Sequence, residues 1–302
     1  TETEVLEEVV VIGYGVVEKG DVTGVIKKVD EEQFNTGVIA SPDQLLTGKV
    51  AGVNVTSNSG EPGGQSTVRI RGGTSISANS DPLYVIDGVP IDNTAHEPGG
   101  MAVGRNPLNF LNPNEIADIT VLKDASATAI YGSRAANGVI IITTKGGSVR
   151  QGKADDKPTV TYDGRVGVSS FPGEIPVLSP QEFRAAIAAF DADTVEKPAV
   201  IGPAETDWFD EVTQRAINEQ HNLSIGANIQ DGNYRFSTGY QKINGIIKGS
   251  KNERFNVNFN MSKGLLDNSL SLRFSSKNAL TNDNFGSNQV GSALAFNPTQ
   301  PI

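Results

Sequence analysis

The stretch Val9-Val10-Val11-Ile12-Gly13-Tyr14-Gly15 runs β-branched residues into Gly-x-Gly, the types and spacing with which a dinucleotide fold approaches a pyrophosphate. That chemistry needs a third glycine at position 18, where strand and helix pack closely, and position 18 is Glu. It also needs a crossover helix, and residues 16–24, with Gly20, Asp21 and Gly24 among them, leave no room for one before "VIKKVD" (25–30). Nucleotide chemistry is set aside. The acids of "SDPLYVIDGVPIDN" (80–93) lack the EF-hand spacing that calcium requires. The two histidines, His96 and His221, lie far apart, cysteine is absent, and no Gly-x-Ser-x-Gly elbow occurs. The sequence therefore reads as a non-enzyme, with no metal and no cofactor.

A second chemistry is open to the same stretch. Val9, Val10, Val11 and Ile12 form an extended, proline-free segment whose backbone N–H and C=O groups can add a strand to a partner's sheet edge. Glu7 and Glu8 precede it and would steer a basic surface, less so as salt rises. The plainer reading makes it the first strand of the domain's own sheet.

Composition narrows the partners. A net charge of −10 over 302 residues argues against nucleic acid. No run of 18 apolar residues exists, which excludes a membrane helix but not a membrane β-barrel, whose strands alternate.

The elements divide at the polar, Gly-containing seam "KGGSVRQGKADDKP" (145–158). Only five aromatic residues precede it (Tyr14, Phe34, Tyr84, Phe110, Tyr131), and the rest follow. The first half predicts an α+β unit. Ser41-Pro42-Asp43-Gln44 has the form of a capping box opening a short helix, since Gly48 and Gly52 soon interrupt it. "VNVT" (53–56) and "TVRIR" (67–71) read as strands around "SNSGEPGGQS" (57–66). Asp87-Gly88 reads as a hairpin turn in "LYVIDGVPID" (83–92). Residues 117–145 read strand, helix, strand, with Asp124 as N-cap and Gly132 as helix stop. The second half predicts five two-faced strands at 159–170, 222–229, 234–241, 254–262 and 269–277. "RFNVNFNMS" (254–262) sets Phe255, Val257, Phe259 and Met261 against Asn256, Asn258, Asn260 and Ser262. An amphipathic helix with its own Ser-Pro start, "SPQEFRAAIAAF" (179–190), interrupts them. Alternation alone fits a soluble sandwich with its apolar face inside, or a membrane barrel with that face on lipid. Strand length and Asn/Ser-rich polar faces favour the barrel.

Residues 1–147 closely resemble the plug domain of TonB-dependent outer-membrane transporters, nearest to the SusC-like branch that works in glycan uptake. "LEEVVVIGYG" (6–15), "SPDQLLTGKVAGVNV" (41–55), "SGEPGGQSTVRIRGGTS" (59–75), "PLYVIDGVPID" (82–92) and "LNPNEIADITVLKDASATAIYGSRAANGVIIITTKGG" (111–147) carry the resemblance in order. It implies an α+β plug domain inside an antiparallel transmembrane β-barrel: residues 1–19 a TonB box and flexible segment, 20–147 the plug, 148–302 the first barrel strands. Residues 148–302 have room for about five to seven strands of about ten residues, against about 22 in a closed barrel of this class. The sequence is therefore expected to be an N-terminal portion. The resemblance implies a bacterial outer-membrane importer in contact with outer-membrane lipid. Glu7, Glu8, Val9, Val10, Val11 and Ile12 would bind the TonB C-terminal domain, and a SusD-like surface lipoprotein would serve as lid. Its ligand would be an oligosaccharide, or a peptide. Two plug loops would face it, with Asn58, Glu61, Gln65, Asn93, His96 and Arg105 as polar candidates. Arg69 and Arg71 would pair with barrel-wall acids, and Asp87 would serve its turn. The competing reading is a soluble or surface-attached β-rich carbohydrate-binding protein, which would bury the apolar strand faces.

Overall fold

The computed structural model describes residues 9–12, 15–18, 26–70, 81–91, 105–123, 129–146, 157–173, 175–189, 201–266, 269–286 and 289–302. In the first half the strands are β1 (Val9–Ile12), β2 (Gly15–Glu18), β3 (Ile26–Asp30), β4 (Asn54–Ser57), β5 (Ser66–Arg69), β6 (Leu83–Ile86), β7 (Val89–Ile91), β8 (Ile116–Leu122) and β9 (Val139–Thr144). Five of them form one mixed sheet in the order β3-β8-β9-β6-β7, with β6 and β9 parallel and the other pairs antiparallel. β4 and β5 form a separate hairpin around the 57–66 loop.

The inner strands read as near-continuous apolar runs, as strands covered on both faces must. One core, with Leu46, Val68, Ile119 and Ile140, packs on one face of the sheet. A second, with Leu83, Val85, Leu122 and Val139, packs on the other. Each such side chain contributes about 1.5–3 kcal/mol by leaving water. Asp87 (φ 49°) and Gly88 (φ 87°) both take the left-handed backbone of a two-residue hairpin turn, as the Asp-Gly pair predicts.

The first helix expected here is shorter than predicted, and of the second the structure describes residues from Ala129 onward. Residues Pro42–Leu46 make a single tight 3₁₀ turn, and Ser41 caps nothing. Leu45 and Leu46 are driven into the plug core instead, and Gln44 folds back to accept from the Ala40 N–H at 3.0 Å. Residues Ala129–Ala135 are 3₁₀ turns split at Gly132 (φ 67°). The Asp124 cap lies outside the described residues.

The second half is an antiparallel meander of β10 (Thr159–Ser169), β11 (Ala216–Ile229), β12 (Gly232–Asn244), β13 (Lys251–Leu265) and β14 (Leu270–Asn284). Helix α1 (Pro180–Ala189) and the short α2 (Trp208–Val212) lie in the β10–β11 connection, and α3 (Val290–Ala295) follows β14. Four of the strands outrun their expected bounds, reaching 13–15 residues. Tight turns join β11 to β12 and β13 to β14, while the long connections lie at the other end.

Candidate functional site

The five-stranded meander buries the wrong chemistry for a soluble protein. Asn218, Gln220, Asn222 and Ser224 of β11, Arg235, Ser237 and Gln241 of β12, and Asn252, Arg254, Asn256 and Asn258 of β13 are all buried. The alternating residues Ile217, Leu223, Phe236, Tyr240 and Phe255 are exposed, as are Val166 and Val168 of β10 and Leu272, Phe274 and Leu280 of β14. A dry sandwich would show the reverse.

The outward face has its own boundaries. At the long-connection end a charged row crosses it in register, Glu219–Lys242–Glu253. Toward the tight turns the next charge on β13 is Lys263, paired with Leu272. From Glu253 to Lys263 the strand runs about 34 Å at about 3.4 Å per residue. Tilted by about 40°, that is about 26 Å of height, close to the roughly 25 Å apolar band of an outer-membrane barrel.

What covers the inward polar face is the α+β unit. Glu115, at the foot of β8, is 4% exposed and accepts from Ser237 at 2.8 Å and from Arg235 at 3.3 and 3.4 Å. Asn112 donates to Asn222 and, at 3.3 Å, to Asn256. Both amides flank Gly239 in register, and a Cβ on Gly239 would fall 2.6–2.7 Å from all three. Glycine is therefore what lets the plug side chain reach the wall. Arg254, 1% exposed, donates to the Ala40 carbonyl (3.1 Å), the Asn109 carbonyl (2.9 Å) and Gln241. Lys277 reaches Asp87, whose other bonds go to the backbone N–H (2.8 Å) and hydroxyl (2.6 Å) of Thr144.

Among the sequence-chosen ligand residues, Asn58 is exposed and serves its hairpin, accepting from Thr67 at 2.7 Å. Glu61 sits in the same loop with one carboxylate oxygen buried and unbonded, and burial raises its pKa. The two loops meet: Gly64 bridges Arg105, and Gly63 accepts from Asn106 N–H (3.3 Å) and the Asn109 side chain (2.8 Å). Gln65 is half-buried beside them. Arg105 pairs with Asp283 of β14 at 2.9 Å. Asn93 and His96 lie outside the described residues. The ion pairs across the seam run mainly from wall to plug, through Arg235 and Lys277; Arg105 runs the other way. Arg69 is exposed on β5, and no ion pair is seen for it among the described residues; Arg71 lies outside them. The opening stretch forms a hairpin of β1 on β2 in register Ile12↔Gly15, apart from the plug sheet rather than its first strand. Glu7 and Glu8 lie outside the described residues.

The residues that join the halves, Asn112, Glu115, Gln241 and Arg254, escaped sequence reasoning. They pair across gaps of 13 to 214 positions. The one local signal was the Asn/Ser repeat on the polar strand faces.

An α+β unit seated by polar bonds on the inward face of an outward-apolar antiparallel sheet defines a plug against the wall of a membrane β-barrel. Comparison with known proteins agrees. The TonB-dependent Receptor Plug Domain family matches residues 18–139. The TonB-dependent receptor SusC of Bacteroides thetaiotaomicron is 43% identical over all of this chain, and TonB-dependent receptor P26 of Formosa agariphila is 37% identical over 98% of it. The chain spans 29% of the length of each. A solved structure of the RagAB peptide importer in its open-open state superposes on 92% of this chain and 33% of its own, at 25% identity and a TM-score of 0.75. The chain belongs to the SusC-like TonB-dependent receptors, of which it carries the plug domain and strands of the barrel wall.

Proposed function

We propose that the receptor imports an oligosaccharide nutrient across the bacterial outer membrane, with the plug as its gate. The observation that carries this reading is the inversion of the wall: apolar residues outward over about 26 Å, polar residues inward under the plug. A wide bore must be closed at rest, and an outer membrane has no ATP, so force must arrive by contact from the periplasm. Val9–Ile12 is the segment suited to receive it, because among the described residues its strand pairs with β2 alone and can offer its other edge to the TonB C-terminal domain. A SusD-like lipoprotein would close the outer mouth. Glu61 and Gln65, beside the junction of the two plug loops, are the leading ligand contacts of the set Asn58, Glu61, Gln65, Asn93, His96 and Arg105. A peptide cargo is the second reading, favoured by the likeness to a structure described as a peptide importer.

Val10→Pro or Val11→Pro in the full-length receptor should abolish growth on the imported nutrient and leave surface binding of that nutrient intact. A panel of single oligosaccharides and short peptides as sole nutrients identifies the cargo. Normal growth of the proline variants would refute the strand-donor role.

A further inference from the structure

The arginines that join plug and wall end differently. Arg235 is buried and gives Nε and Nη2 to Glu115. Arg254 is buried and gives Nη1 and Nη2 to Ala40, Asn109 and Gln241. Arg165 sets Nε against Asp163 and gives Nη1 to the Gly37 carbonyl. Arg105 spends Nε alone, 2.9 Å from Asp283 Oδ2, and neither of its Nη nitrogens has a partner among the described residues. Its side chain is 47% exposed, whereas the Asp283 side chain beneath it is 0% exposed and is held at its other oxygen by the Asn252 amide. A buried, fixed carboxylate thus props a half-open guanidinium. The free end of that guanidinium is the planar fork that grips a carboxylate through two parallel hydrogen bonds.

The surroundings permit close approach. Gly64 bridges Arg105, so the neighbouring backbone carries no side chain at that point. Gly63 runs at φ 76°, and a Cβ there would fall 2.8 Å from the amide nitrogens of both Asn109 and Asn252, so this turn is packed hard against plug and wall. Asp283 lies one register pair from the end of β14, on the side of the wall where the long connections lie. Long connections face outward in such barrels, which puts Arg105 at the outer mouth, where cargo arrives.

We propose that Arg105 is a specificity-determining residue that takes a carboxylate of the cargo, either an acidic sugar of an oligosaccharide or the C-terminus of a peptide. The inference rests on the reading that the two plug loops bind cargo, and it adds the chemistry they select. If Arg105 were only a tie between plug and wall, its loss would weaken every cargo alike.

The test measures dissociation constants for the full-length receptor in detergent at about 0.15 M salt, where exposed charges are screened beyond about 8 Å. Two matched pairs of probes are used: trigalacturonate against its methyl ester, and N-acetyl-tetraalanine as free acid against its C-terminal amide. The receptor should prefer the acid of one pair by about 10-fold or more, and the pair that responds identifies the source as sugar or peptide. Arg105→Gln should bring the preference to within about twofold, and Arg105→Lys, which keeps the charge and loses the fork, should leave an intermediate one. Asp283→Asn breaks the tie but keeps Arg105, and the preference should persist. Because the readout is a ratio, a variant that only loosens the plug lowers both members of a pair and leaves it unchanged. If Arg105→Gln fails to assemble, Arg105→Lys decides. Gln65→Ala tests the loops as the cargo site and should weaken both members of the responding pair. An effect of Gln65→Ala without an acid preference sinks this inference alone, and binding untouched by either Gln65→Ala or Arg105→Gln sinks the loop reading with it. No acid preference in either pair, no probe bound tighter than about 1 mM, or a preference that survives Arg105→Gln overturns the proposal.

Discussion

The plug sheet and the wall sheet each have five strands, and they hide opposite chemistry. In the plug, Val85, Ile116, Ile119 and Val139 are completely buried. In the wall, Gln220, Asn252, Arg254 and Asn256 are buried, and Phe255 and Leu272 are exposed. The plug's inner strands are apolar on both faces and the wall strands on one, so what differs is the surroundings each face was selected against. Water drives the plug's apolar residues inward. Lipid needs no such retreat, and the wall's inward face becomes a polar seat for a second folded unit. The joint between halves is consequently made of hydrogen bonds and ion pairs, which hold firmly at full complement and fail badly when one partner is lost.

The largest test of that contrast removes one partner from the joint. Glu115→Ala strands the buried Arg235 guanidinium, and the expected loss is about 3–5 kcal/mol. Denaturant unfolding of the full-length receptor, followed by hydrogen exchange at 116–122, measures it; a loss under about 1 kcal/mol would mean the polar seat does not hold the plug. Next in size is a charge on the outward face. Val257→Arg, near mid-band, should cost roughly 2–4 kcal/mol in a bilayer, while Phe255→Arg, one row from the Glu219–Lys242–Glu253 collar, should cost much less. Equal costs in refolding assays would contradict the band's placement.

The smallest effect separates two Ser-Pro starts. Ser179 forms the capping box its sequence announces: its hydroxyl accepts from Glu182 N–H at 3.2 Å, and the Glu182 carboxylate accepts from the Ser179 N–H (2.9 Å) and hydroxyl (2.8 Å). Ser179→Ala should weaken α1 by about 1 kcal/mol. Ser41 is 1% exposed with its hydroxyl unbonded, so Ser41→Ala should be neutral or slightly stabilising. Amide exchange at 180–189 and 42–46 distinguishes them. The Ser179 N–H and hydroxyl hold the Glu182 carboxyl below its ordinary value of 4.5. A depressed folded-state pKa gives stability that is present above the ordinary value and lost as pH falls through the lowered one. Protection of α1 should therefore be full at neutral pH and decline below about 4.5.

The two Ser-Pro starts also mark how far the fold was legible. "SPQEF" is followed by a run that can stay helical on a surface, so local chemistry decides it. "SPDQLL" places Leu45 and Leu46 where the plug core claims them, and packing overrides the cap. The wall strands were legible wherever an apolar face alternates. Alternation starts β11 at Asn222, and the structure begins it at Ala216: "AINEQH" carries Glu219 and His221 on its outward side, in and beside the charged collar, where hydrophobic periodicity ends though the hydrogen-bonded ladder continues. The candidate site was half legible. Its loops could be found, and Arg105 among them, but Arg105 is engaged with Asp283. The joint itself was invisible, because Asn112 and Gly239 acquire meaning only when the wall brings Asn222 and Asn256 to either side of them.

The most direct measurement of the inverted wall is a nitroxide scan along residues 254–261 of the full-length receptor in a bilayer, reading accessibility to lipid-soluble oxygen. The expected result is a period of two, with maxima at 255, 257, 259 and 261 and minima at 254, 256, 258 and 260. A flat profile, or maxima at the even positions, would contradict it.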